Sequence, residues 1–210
     1  MNKLIGTSFY NLLQYGNEIE SYIKKNDMAS IECKVETKLK EFVTVLFFQK
    51  NFMLLSLALF LMMFSWLFII FTALQGISTK ESPGLYFGLY MISAMTCGLI
   101  NIFSVFLLAR GITIGLKMVY YTFNFILAMA ILFSFYYLYT FIFTGKTNIS
   151  DVVFFVLIIV PLYLTRLILN TRLIGSALVW TINERARKAY LKLLIKTYKS
   201  PRKIKKLRVG

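Results

Sequence analysis

Histidine is absent from the 210 residues, and only two cysteines and nine acidic side chains occur. Without imidazole the chain lacks the commonest general base and metal ligand. No Cys or acidic cluster has metal-ligand spacing, and neither a G-x-S-x-G elbow nor a glycine-rich phosphate loop followed by Lys and Ser or Thr occurs. Glu81 and Asp151 are single carboxylates rather than an acid and base pair. These absences predict a protein that is not an enzyme and holds neither metal nor cofactor. Cys33 precedes the first apolar run and Cys97 lies inside the second, so no disulfide between them is expected.

Charge is also scarce, at 16% of residues against 58% hydrophobic, with a mean hydropathy of +0.68. What the chain has instead is long uncharged runs, over 51–79, 82–109, 118–145 and 152–165, the last continuing past Arg166 and Arg172 toward Asn183. Each accommodates a spanning helix of about 20 residues. One such run fits a buried core helix, but four leave too little polar surface to cover them. The predicted fold is an all-α integral membrane protein, a bundle of four transmembrane helices at about 52–75, 84–109, 118–144 and 152–174. Residues 1–50 form helices before the bundle and 176–210 a basic amphipathic helix and tail after it. The first 50 residues carry seven Lys and six acids and show no signal-peptide core, so the first span is expected to direct insertion.

The basic residues orient the bundle. Seven precede the first span, two (Arg110, Lys117) fall in the middle loop and thirteen follow from Arg166 to Arg208, against single lysines, Lys80 and Lys146, in the other two loops. The positive-inside rule therefore predicts both termini in the cytoplasm.

Ile5, Phe9, Leu12, Ile19 and Ile23 recur at helical spacing and predict an amphipathic first helix that lies on the membrane or packs on a neighbour. Residues 24–27 read as a break. Ser30 is placed to cap a second helix, continuous with the first span as far as Gln75 and bearing Ile31, Val35 and Leu39 as a partner-facing stripe. Gly84 and Gly88, and Ala94 and Gly98, are spaced by four and mark the second span as a packing helix. Pro161 is expected to kink the fourth. Tyr and Phe near both ends of the third span fit interfacial anchors.

Asn101, Asn124, Arg166 and Asn170 are the polar side chains predicted within or beside lipid, where such groups mark partners or pathways. Arg166 either snorkels to the interface or binds one of the three Asn across a helix boundary. From Glu184 to Arg208 eleven basic residues accompany one acid, on a helix expected to end at Pro201. Arg185, Arg187, Lys188, Lys192 and Lys196, with Arg202, Lys203, Lys205, Lys206 and Arg208 in the tail, are predicted to contact anionic headgroups or an acidic cytoplasmic protein. Direct nucleic-acid binding is not expected, because the segment begins at the membrane.

In architecture alone, this four-span layout resembles small bacterial proteins of conflict systems: immunity proteins against membrane-inserting toxins, and membrane sensor subunits of phage-defence pairs such as the Kiwa system. The resemblance implies a bacterial inner-membrane protein, homo-oligomeric and non-enzymatic, that acts as a scaffold or sensor for a soluble cytoplasmic partner. The alternative is a small oligomeric channel or transporter lined by the intramembrane Asn and Arg side chains.

Overall fold

A computed structural model describes residues 4–35, 45–77, 83–144 and 149–207. Among them are seven helices and no strand: α1 (Thr7–Lys25), α2 (Met28–Lys34), α3 (Val45–Ile77), α4 (Pro83–Ala109), α5 (Thr113–Thr144), α6 (Ile149–Leu169) and α7 (Arg172–Leu207). Four of these, α3 to α6, are long and apolar enough to cross a membrane. The most hydrophobic stretch of each is only 22–33% buried within the chain. Large apolar side chains such as Phe87, Ile102, Phe135 and Val156 therefore stand on the outside, the arrangement expected where lipid rather than water is the solvent.

α3 is the central helix, packed on α4, α5 and most extensively α6. Ser65 and Thr165 stitch the α3–α6 seam: Ser65 Oγ donates to the Ile158 carbonyl at 3.0 Å, and Thr165 Oγ1 lies 3.1 Å from the Ala58 carbonyl and 2.9 Å from that of Pro161. Pro161 is buried inside α6, which continues through it to Leu169.

α1, α2 and α7 form a second layer at the end of the bundle that carries the α4–α5 turn and the end of α6; this is called the basal end below. The local chemistry sets its corners. Asn26 (φ 54°) and Gly111 (φ 68°) occupy the left-handed position after α1 and α4. Each closes the same pair of backbone bonds, Asp27 N–H to Tyr22 and Asn26 N–H to Ile23, and Ile112 N–H to Leu107 and Gly111 N–H to Leu108, a motif that needs Gly or Asn at that residue. Asp27 then caps α2 by accepting from the Ser30 N–H at 3.1 Å, while the Ser30 hydroxyl donates back to it at 2.6 Å.

Three boundaries differ from the sequence expectation. α2 ends at Lys34 with Val35 extended (φ −91°, ψ 106°), so the helix expected from Ser30 to Gln75 is interrupted there; Val35 is fully buried, and seating that β-branched side chain in the core outweighs helical continuity. Residues 36–44, Leu39 included, lie outside the described ones. The fourth span stops at Leu169 rather than near 174, because Asn170 is engaged elsewhere. α7 runs through Pro201 to Leu207 instead of ending at the proline.

Candidate functional site

The basal layer is built by polar groups reaching between elements distant in sequence. α1 begins at Gly6, which has no side chain to cap the helix. Asn170 takes that role from the α6–α7 junction: its Oδ1 accepts from the Phe9 N–H at 3.3 Å, and its Nδ2 donates to the Ile5 carbonyl at 2.6 Å and the Arg166 carbonyl at 2.7 Å. Gly6 (φ 119°) is required on two counts, since a Cβ there would overlap the Asn170 amide and adopt a backbone conformation that L side chains rarely tolerate.

Further along α1, Thr113 Oγ1 donates to the Gly16 carbonyl at 3.1 Å, and Tyr15 Oη donates to Asn183 Oδ1 at 2.6 Å. Arg185 on α7 joins three elements. One guanidinium nitrogen donates to the Gly111 carbonyl at 3.3 Å and lies 3.7 Å from the Glu20 carboxylate. Burial alone would raise the Glu20 pKa, but hydrogen bonding from Thr113 and the charges of Arg185 and Lys24 outweigh it and hold the carboxyl below its ordinary value. α2 is tied on by a Lys34–Glu18 ion pair and by Tyr190 Oη donating to Glu32 Oε2 at 3.3 Å. Beneath these contacts Ile5, Phe9, Leu12, Ile19, Ile31, Val35, Leu178 and Ile182 are buried in one core.

Ile31 and Val35 are therefore core residues, fully buried, rather than the open docking stripe the sequence suggested. The exposed surface lies on α7 instead. Glu184 neutralises Arg187 (3.0 Å) and lies 3.7 Å from Lys188. Lys192 and Lys196 are exposed, with no ion pair among the described residues, and Leu191 (48% exposed) and Ile195 (53%) stand open beside them. Arg202, Lys203, Lys205 and Lys206 continue the same helix, while Arg208 is outside the described residues. Arg110 and Lys117 are exposed at the same end, and the Arg110 guanidinium lies 4.1 Å from the Phe106 ring centre.

No protein-family model, curated protein or solved structure matches this chain. The reading of the site therefore rests on its geometry.

The four polar side chains singled out along the spans do not converge. Asn101 is buried on α4, and its Nδ2 donates to the Leu59 carbonyl of α3 at 3.3 Å. Asn124 Nδ2 donates to Tyr120, one turn back on its own helix, at 2.9 Å. Arg166 is exposed in the last turn of α6, with no side-chain hydrogen bond or ion pair among the described residues. Asn170 is the cap of α1. The groove that Asn101 lines contains neither Asn124 nor Arg166. Gly84 and Gly88 meet nothing within 4 Å of where a side chain would begin, Ala94 is half-buried, and a side chain beginning at Gly98 would start 4.0 Å from Met63 Sδ. Both cysteines are free thiols.

Sequence periodicity missed the interlock of Asn170, Thr113, Glu20 and Arg185. Its visible signal was small: glycines at 6, 16 and 111, each where another element comes close.

Proposed function

We propose that this chain is a non-enzymatic scaffold or sensor of the bacterial inner membrane, with its basal layer in the cytoplasm, and that it recruits or regulates a soluble partner through α7. The observation that carries this reading is the distribution of surface. One end of the bundle holds a layer joined by hydrogen bonds between its elements, and the free cations Lys192 and Lys196 extend from it beside Leu191 and Ile195. A strip of that kind suits an acidic amphipathic protein surface, with anionic headgroups engaging the rest of the basic helix. The positive-inside bias of the basic residues supports the orientation, and the likeness in layout to membrane components of bacterial defence and toxin-immunity systems supports the setting.

Two measurements test it together. Cysteines placed at Ser150 and Gly210 are expected to be labelled from opposite sides of the membrane. In mild detergent the chain is expected to co-purify with a soluble protein at fixed stoichiometry, and Lys192→Glu with Lys196→Glu to abolish recovery without impairing insertion. Labelling of both sites from outside refutes the orientation, and undiminished recovery by the double variant refutes the α7 surface.

A further inference from the structure

One flank of the bundle holds a polar atom with nothing to bond. Asn101 is only 8% exposed; its Nδ2 serves the Leu59 carbonyl and, at 4.0 Å, the weakly accepting sulfur of Cys97, while its Oδ1 is buried without a partner. Unbonded buried carbonyl oxygens are rare because the desolvation cost is uncompensated. The amide lines an open groove of about 610 Å³ between α3 and α4, together with Ser56, Phe60, Met63, Gly98 and Ile102.

A second observation runs through the same place. Gly84, Gly88, Met91, Met95, Gly98 and Ile102 follow one another along α4 at alternating steps of four and three, the 3.5-residue period of a helix seam. Nothing in the chain lies within 4 Å of a Cβ built on Gly84 or Gly88, and Met91, Met95 and Ile102 are exposed. This track spans about 27 Å along the helix, nearly the thickness of the hydrocarbon core.

We propose that a second copy of this chain covers the track, α4 against α4 about a two-fold axis along the membrane normal, with the two Asn101 amides bonded to each other. The inference rests on the chain spanning a membrane, as in the proposed function. Copies inserted with the same orientation bring each α4 residue to the depth of its own mate. An amide carries both an acceptor and a donor, so once the Asn101 side chain turns outward into the groove, its Oδ1 and the N–H now spent on sulfur are matched one to one by an identical group. A lipid chain offers no such donor. Glycines on a 3.5-residue period let two backbones approach at a small left-handed crossing angle.

The full chain, reconstituted in phosphatidylcholine–phosphatidylglycerol nanodiscs, is expected to be dimeric by native mass spectrometry. In a Cys33→Ser, Cys97→Ser background, Met95→Cys and Ile102→Cys are expected to cross-link between copies, and Val153→Cys on α6 is not. The first side-chain atom at residue 88 meets no neighbour within its own chain, so Gly88→Leu tests the interface more than the fold; it and Asn101→Leu are each expected to weaken the dimer about tenfold. A monomer with lipid alone in the groove, equal cross-linking at Val153→Cys, or an unweakened Gly88→Leu dimer overturns the proposal. A monomer that still recruits its soluble partner would sink this inference alone, whereas a dimer with no such partner would sink only the functional one.

Discussion

The bundle and the basal layer use the same kinds of polar side chain in opposite ways. Within the bundle most hydroxyls and amides turn back onto their own helix: Thr96 to Ile92, Ser104 to Ile100, Asn124 to Tyr120 and Ser134 to Ala130, at 2.7–2.9 Å. Only a few, such as Ser65 and Thr165, reach a neighbour. In the basal layer the bonds run between elements: Asn170 to Ile5, Thr113 to Gly16, Tyr15 to Asn183 and Arg185 to Gly111. The contrast follows from the surroundings. On a helix surrounded by apolar side chains a hydroxyl finds few polar neighbours, so the carbonyl one turn back is its nearest acceptor. Where helices end, free backbone groups are available, and a side chain from another element that satisfies them also locks the two together. Apolar packing underlies both regions, and the polar contacts that join one element to another are concentrated in the layer.

Breaking one polar contact in each region tests this difference. The largest effect is expected at Asn170→Leu, which strips the cap from α1 and leaves the Phe9 N–H and the Ile5 carbonyl unbonded. A loss of about 1–3 kcal/mol is expected, read as faster proteolysis at residues 24–27 with the bundle intact.

Glu20 sharpens the comparison through pH. Its carboxyl is held below the ordinary range, so it stays ionised in the docked layer after its unfolded-state counterpart has begun to protonate near pH 4.3. Its contribution is fully present above that pH and is lost as pH falls through the lower, folded value. Hydrogen exchange of α1 amides is expected to rise in that acid window, and Glu20→Gln to remove the acid step by making α1 looser at neutral pH. The smallest change is expected at Thr96→Val. That hydroxyl bonds only its own helix, and a shift under about 0.5 kcal/mol is expected in detergent thermal unfolding. A large loss there would erase the distinction between the regions.

The same distinction explains what the sequence made legible. The four apolar runs coincide with α3 to α6, since length and the absence of charge are local properties. The buried face of α1 was also readable in Phe9, Leu12 and Ile19, while Ile5 is buried just before the helix and Ile23 is half-buried. The layer itself was not. Asn170 looked like an intramembrane polar residue because nothing nearby in sequence indicates that its partners are residues 5 and 9. Val35 looked like one turn of a long stalk because a helical stripe reads alike whether it faces a partner or its own core. The exposed strip on α7 was legible as charge, but which of its cations were free depended on Glu184 and Glu20.

The reach of the Asn170 contacts also orders the events of synthesis. α1 is made before the four long helices, yet the groups that clasp it lie far downstream: Thr113 is 97 residues from Gly16, and Asn170 and Asn183 are 161 to 168 residues from their partners. Contacts so distant in sequence form late, because the closure of a long loop must precede them. Until residue 170 is made, α1 has no side chain to cap its first turn. α5 offers part of its seat through Thr113, and α6 and α7 complete it. Full docking of α1 is therefore expected late in folding, and a chain cut short before residue 170 is expected to leave the Phe9 N–H and the Ile5 carbonyl without their partner.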